Sequence, residues 1–467
     1  YNTFSVDYNA KLQNKANFKT AVTFESSKLS RALNNQNFFY DTRDAIDADI
    51  ANNYANATRF DTYSLSDNTP LRALRWSADY EKKLDSVSSF GTGAQIQYTN
   101  IDGAFNFENT LVTRNLNNTI DLSRTIYAAY VDYTAKRGAF NYIVGLRAEY
   151  GDQTLENGNT NYVPIFGDDL LATYKQQKLD LFPSLHISYH LNKTNTITLA
   201  GSRRINRASV TKLAPFLYRR HFEVYVVGDP ELEAEYLNNL ELNYNQKIGK
   251  HSYTLTGFYR GTDNTVFRVN TVTSAVENPE INSILREDVL IRSFTNAGNS
   301  TSLGAEFNTN IIASSFAKLF IGASLYNFQI KGDVFGFDVD QRSTNWTLKA
   351  NTNLKISKAL KFNYNFSRQS RTVTSQGQND AFSVSNIALT YKPTQRLDIA
   401  LRGLDIFAQN DRGLDTNAFN EQGQQIFFQE TLYERNGPVF EIGITYALNA
   451  KAKKKKAKDF QANKHFK

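Results

Sequence analysis

A chain of 467 residues with a net charge of +7 and no cysteine has no disulfide framework, no thiol nucleophile and no thiolate metal site. Much of the cationic excess sits in "KAKKKKAK" at 451–458, so the charge does not point to nucleic acid, and no run approaches the ~18 apolar residues of a spanning helix. Aromatic residues make up 13% of a chain whose mean hydropathy is −0.49, a polar composition rich in residues that favour strands and interfaces. Methionine is absent, and the sequence reads as a mature or truncated segment whose signal peptide would have preceded Tyr1.

Taken in chain order, the elements are strands. "NTFSVDYNAKL" (2–12) opens the chain in mid-pattern. "FNYIVGLRAEY" (140–150) sets Phe140, Tyr142, Val144, Leu146, Ala148 and Tyr150 on one face, with Asn141, Arg147 and Glu149 on the other. The same period recurs at 239–246, 252–260, 360–367, 396–403 and 439–448, and period two over eight or more residues predicts half-buried strands. A soluble sandwich or a lipocalin-like barrel alternates equally well. Two details count against both: segments of ten or more residues exceed soluble strands and match the 9–11 residues of a tilted membrane strand, and the connections alternate in length.

Short links lie at 13–16, 82–86, 135–138, 191–195, 247–251, 314–318, 356–360 and 392–395. Long polar excursions lie near 27–70, 101–119, 151–176, 205–236, 273–287, 332–341, 372–381 and 409–436. This asymmetry predicts an all-β fold, a transmembrane antiparallel β-barrel with periplasmic turns and extracellular loops. About seventeen strands are expected over residues 1–448, followed by a basic periplasmic tail at 449–467. Single-chain bacterial barrels use even counts, so strands are expected to be missing at the N-terminus.

Specific residues then add a resemblance. "SRRINRASVTKLAPF" (202–216) followed by "GDPELEAEYLNNLELNY" (228–244) resembles the stretch of TonB-dependent outer-membrane receptors in which a strand ends in a basic, Pro-containing segment and a Gly-Asn-Pro-x-Leu-x-Pro-Glu-like motif heads the next. Arg203, Arg204, Asn206 and Arg207 stand in the basic run. Gly228, Pro230, Leu232 and Glu235 match the motif, with Asp229 where Asn is usual and Ala234 where Pro is usual. "TIYAAYVDYTAKRGAFNYIVGLRAEY" (125–150) looks like the preceding strand pair in Bacteroidota-type members, and "FTNAGNSTSLGAEFNTNI" (294–311) is similar to the family's Asn-x-Gly then Gly-x-Glu strand. The resemblance spans about residues 75–448.

The resemblance implies the C-terminal portion of a 22-stranded barrel with a plugged lumen, lacking here the plug, the segment that contacts TonB and about five strands. It implies a cell outer membrane of a Gram-negative bacterium and energised uptake of a ligand that the sequence does not identify. Loops 27–70, 151–176, 205–236 and 409–436 are the ligand-facing candidates. Implied partners are outer-membrane lipid and lipopolysaccharide, the plug and TonB through the missing part, and a surface lipoprotein; nucleic acid is not among them. Two alternatives stay open, a plugless barrel serving as a structural subunit of an outer-membrane assembly, and a passive pore.

Chemistry-bearing residues are sparse. His186 and His190, four apart on a strand, stand some 13 Å apart at ~3.3 Å per residue, too far to share an ion, so no metal or cofactor is expected. No Gly-x-Ser-x-Gly elbow is present, and no enzyme is expected. Arg203, Arg204, Arg207, Arg219 and Arg220 are expected to pair with Glu231, Glu233 and Glu235 of the same loop, or with a plug, rather than with ligand. Tyr127, Tyr133, Tyr150, Phe258 and Tyr446 are expected in the aromatic girdles, and 41–61 as a solvated acidic loop.

Overall fold

The alternating pattern folds into one long antiparallel meander. The structure, a computed structural model, describes residues 1–57, 59–109, 117–160, 170–216, 218–221, 224–274, 288–334, 337–419 and 424–448. The first eight strands are β1 Asn2–Lys11, β2 Ala16–Phe39, β3 Arg59–Lys83, β4 Ser88–Asn109, β5 Asn118–Arg137, β6 Phe140–Asn157, β7 Thr173–His190 and β8 Asn195–Asn206. After the short pieces β9 Tyr218–His221 and β10 Val224–Val226 come β11 Glu235–Ile248, β12 His251–Ser274, β13 Asp288–Ile312, β14 Ala317–Val334, β15 Phe337–Lys355 and β16 Leu360–Gln369. The chain ends with β17 Thr372–Thr374, β18 Gly377–Asn379, β19 Phe382–Tyr391, β20 Leu397–Leu404, β21 Arg412–Phe419, β22 Gln425–Tyr433 and β23 Val439–Tyr446.

Seventeen of these form the wall, each paired antiparallel with the next, passing from β8 to β11, β16 to β19 and β20 to β23. Among the described residues β1 pairs only with β2 and β23 only with β20. The expected strand number and the all-β barrel architecture are borne out. The tail at 449–467 lies outside the described residues.

Two faces run the length of the sheet. Leu240, Leu242, Leu255, Leu303 and Leu325 stand 50–63% exposed in a row across neighbouring strands, a contiguous apolar belt that a water-soluble protein does not leave open. The opposite face is polar: Thr256 donates to Asn243 at 2.6 Å and Arg260 meets Glu241 at 3.3 Å. Lipid is the solvent that fits the first face and water the second.

The girdle expectation holds for the pairs Tyr127–Tyr150 and Tyr133–Tyr142, with ring centroids 6.4 and 6.1 Å apart on the outer face, and for exposed Tyr446. It fails for Phe258. That ring is 4% exposed on the inner face, 6.1 Å from Tyr326, because its register places it opposite Glu241 and Gly304 while Leu255 and Tyr259 take the outer positions.

At the loop end the strands outrun the alternation. β2 and β3 hold 24 and 25 residues, more than twice what a membrane crossing needs, and stay paired up to Phe39↔Arg59. The expected loop 27–70 therefore shrinks to 40–58, where a short helix, α1 (Arg43–Asp49), follows an N-cap by Thr42. Above the membrane both faces meet water, so apolar alternation fades while backbone pairing continues. The excursions 372–381 and 409–436 likewise contain β17, β18, β21 and β22, a separate four-stranded sheet. It is tied to the wall through Gln376, whose Oε1 accepts the Asn270 backbone N–H at 2.6 Å and whose side-chain amide donates to the Asn270 carbonyl at 3.0 Å.

Candidate functional site

The inner face is not bare at the loop end. β7 pairs with β8 only from His190↔Thr196 to Ser184↔Ser202, and beyond that point β8 pairs with β11 alone. From Asn206 the chain turns inward through a helical turn, α2 (Val210–Leu213), then β9 and β10, and returns at Gly228. β10 docks parallel to β13 with Tyr225 opposite Ile291, and the Val227 N–H donates to the Arg292 carbonyl at 3.0 Å.

The loop's other flank packs on the inner faces of β3 to β7. Phe216 meets Phe105 at 5.1 Å and Tyr225 meets Phe107 edge-on at 6.4 Å. Leu213, Phe216 and Leu232, all 2% exposed or less, join Leu65, Ile120, Leu122 and Leu155 in one cluster. Each such side chain contributes about 1.5–3 kcal/mol on burial, so the segment is held as a core is held.

The motif residues make this infolding possible. A Cβ at Gly228 would lie 2.3 Å from the Ala214 carbonyl oxygen, so with glycine there the returning segment can approach α2 closely enough for Gly228 N–H to reach Ala214 O at 2.9 Å and Asp229 N–H to reach Lys212 O at 2.7 Å. Pro230 is buried and Leu232 reaches the core. Glu235 receives the Val266 backbone N–H at 2.8 Å and the Asn206 side-chain amide at 2.7 Å, which clamps the loop's exit to its return. Asn296, from the Asn-x-Gly stretch, accepts the Glu233 N–H at 2.8 Å and donates to the Glu233 carbonyl at 3.2 Å. Ala234 offers its carbonyl to Asn264 at 3.1 Å and its N–H to no described acceptor, so the proline usual at this position would break no hydrogen bond.

A cavity of about 310 Å³ opens in the split between β7 and β8, lined among others by Arg124, Gln153, Lys178, Asp180, Arg207 and Tyr236. Tyr236 fills part of the split: its hydroxyl donates to Asp180 at 2.8 Å, and the Arg203 guanidinium lies 4.7 Å from its ring centroid. Arg207 reaches Glu149 at 2.9 Å, beside the Arg147–Glu149 pair at 2.7 Å. Arg124 donates to Gln153 at 2.8 Å and to the Ala208 carbonyl at 3.3 Å, with no carboxylate among its described partners. Burial raises the Asp229 carboxyl above its ordinary value, and the nearby Glu231 charge adds to this. The lining offers cations, carboxylates and amides for non-covalent capture. Among the described residues no group of three His, Asp or Glu is placed to hold a metal ion.

The sequence model of the outer membrane protein beta-barrel family matches residues 22–446. The chain belongs to this family. Its fold is that of receptor barrels: the ferric-catecholate import receptor Fiu from E. coli K12 superposes with a TM-score of 0.63 at 10% identity over 95% of this chain and 63% of that one. The ferric yersiniabactin uptake receptor FyuA of Yersinia pestis gives 0.55 at 11% over 92% and 60%, and the ferric citrate transporter FecA gives 0.56 at 13% over 95% and 61%. The chain thus spans about three fifths of the length of these receptors. No curated protein matches its sequence. Membership of the family puts the chain in the Gram-negative outer membrane, so the split end is the extracellular one.

The expected pairing of the arginines with acids of their own loop is corrected. Arg207 pairs with Glu149 of β6, Arg203 stacks on Tyr236, and Arg204 is exposed. Glu233 is taken by Lys178 at 2.9 Å and Glu235 by Asn206. Arg203 and Arg204 lie on β8 itself, and the inward turn that follows carries Arg207 to β6. The side chains of Arg219 and Arg220 lie outside those described. Lys178, Asp180 and Arg124 were not singled out by the sequence; they sit on strands that only the fold brings to the loop.

Proposed function

We propose that this chain forms the wall and ligand-capturing mouth of a TonB-dependent receptor that takes up its ligand across the outer membrane by energised transport. What carries the reading is that 92–95% of the chain follows the barrels of receptors named for ferric yersiniabactin uptake, ferric-catecholate import and ferric citrate transport, and that its mouth is built by an infolded loop with a polar cavity beneath. The ligand would bind without covalent chemistry. A plug and TonB would act through a part of the protein N-terminal to the barrel strands described, and a surface lipoprotein is a fitting lid for the mouth. Bacteroidota-type membership is part of the same proposal and rests on the 125–150 stretch.

Comparing the solutes that wild-type and deletion cells remove from defined medium, with and without a protonophore, tests it. A solute depleted only by wild-type cells, and only while the proton gradient stands, is the expected result. Depletion indifferent to the protonophore would make the barrel a passive pore, and identical media would leave it a structural subunit; either sinks the proposal.

A further inference from the structure

The opposite rim of the wall carries a charge that neither the fold nor the mouth uses. Eight turns join consecutive wall strands at the periplasmic end, and each bears Lys or Arg on the turn or on the two strand residues to either side. There are fifteen such cations against two carboxylates, Asp85 and Asp398, in a chain whose whole net charge is +7. Both carboxylates are already matched, Asp85 by Arg137 at 3.2 Å and Asp398 by Lys392. Lys15, Lys83, Lys193, Lys250, Lys318 and Lys358 are exposed, and none has an acid partner among the described residues.

Position makes the charge specific. Phe140–Tyr189, at 4.6 Å, and Tyr133–Tyr142 form outer-face aromatic pairs at the periplasmic ends of β5, β6 and β7. Interfacial aromatics mark the depth of lipid headgroups, so the cations level with them or up to four residues further along, such as Arg137 opposite Phe140 and Lys193 beyond Tyr189, lie at the phosphates. Successive turns are two strands apart, about 10 Å, and the cations recur at all eight. A protein partner would select one arc. A ring repeated turn after turn suits a ligand that surrounds the barrel.

We propose that the periplasmic rim binds the anionic phosphodiester headgroups of phosphatidylglycerol-class lipids in the inner leaflet of the outer membrane. Each exposed cation at such a surface strengthens binding by about fivefold. The ring thereby fixes the vertical position of the wall and collects an annulus of anionic lipid. This rests on outer-membrane location alone and not on the transport reading.

The test uses the full protein extracted from its native membrane, placed in nanodiscs of equal phosphatidylglycerol and phosphatidylcholine, with retained lipids counted by native mass spectrometry. Wild type is expected to retain phosphatidylglycerol several-fold over phosphatidylcholine. The K193Q/K250Q/K318Q/K358Q protein should lose about fivefold or more of that preference, while arginine at the same four positions keeps it. Equal retention of both lipids by wild type, or an unchanged preference in the glutamine protein, overturns the proposal. So does a glutamine protein that releases isolated peptidoglycan sacculi yet keeps its lipid preference. If the glutamine protein does not insert, wild type in rising salt decides: headgroup pairing is screened away near 1 M, and a preference that survives there refutes it.

Discussion

Replacing Gly228 by alanine should unlatch the infolded loop without disturbing the wall. The added Cβ would sit 2.3 Å from the Ala214 carbonyl oxygen and 2.7 Å from both the Ala214 nitrogen and the Lys212 carbonyl oxygen, where ordinary contact begins at 3.4 Å. All three are backbone atoms of a packed turn, so the returning segment has to retreat by about 1 Å. That displacement breaks the Gly228–Ala214 and Asp229–Lys212 bonds, now 2.9 and 2.7 Å long. Two backbone hydrogen bonds at about 1 kcal/mol each amount to ~2 kcal/mol, or about 30-fold in the local opening equilibrium. Hydrogen exchange of the detergent-solubilised protein reads this directly. Amides from 210 to 216 and from 224 to 232 should lose about 30-fold in protection, while those of β14 and β15 stay as in wild type. Protection within twofold of wild type in the loop, or loss spread evenly over the wall, would refute the latch.

Asp229→Asn should protect the same amides at neutral pH. A buried carboxyl with a raised pKa stabilises the loop fully below its unfolded value, near 3.9, and loses that contribution as pH rises through the raised folded value; the variant's advantage should therefore disappear in exchange measured near pH 3. Leu232→Ala removes a side chain that is 2% exposed and should cost about 2–5 kcal/mol of loop stability, seen as surface proteolysis between 208 and 234 in intact cells that wild type resists. Glu149→Gln leaves Arg147 and Arg207 without their shared carboxylate. At about 2–3 kcal/mol for a partly buried pair, it should loosen the loop's exit at Arg207, measured by exchange at 207–209, while heat-modifiable gel mobility of the barrel stays unchanged.

Strands and their side were legible where one face meets lipid, because Leu360, Phe362, Tyr364 and Phe366 alternate with polar neighbours as β16 requires. The reading ended at Ser26 in β2, where a strand in water no longer has to alternate, although pairing continues to Phe39. Phe258 misled because an aromatic residue carries no mark of which face it occupies; only its register against Glu241 decides. The Gly228 motif and the 294–311 stretch were each visible as strings, but their contact, Asn296 against Glu233, joins residues 63 apart and depends on a loop folding back across the sheet. The arginine pairing failed for the same reason: adjacency in sequence suggested Glu231 to Glu235, whereas the inward turn delivers Arg207 to Glu149.

A segment clasped at one flank by β3 to β7 and at the other by β13 subdivides the opening it crosses. The free space on the inner face at that end is then set by the girth of residues 207–234 and not by the number of wall strands. Lengthening or trimming that stretch by a few residues would reshape the mouth while leaving every wall pairing intact, so mouth and wall can diverge independently within one lineage.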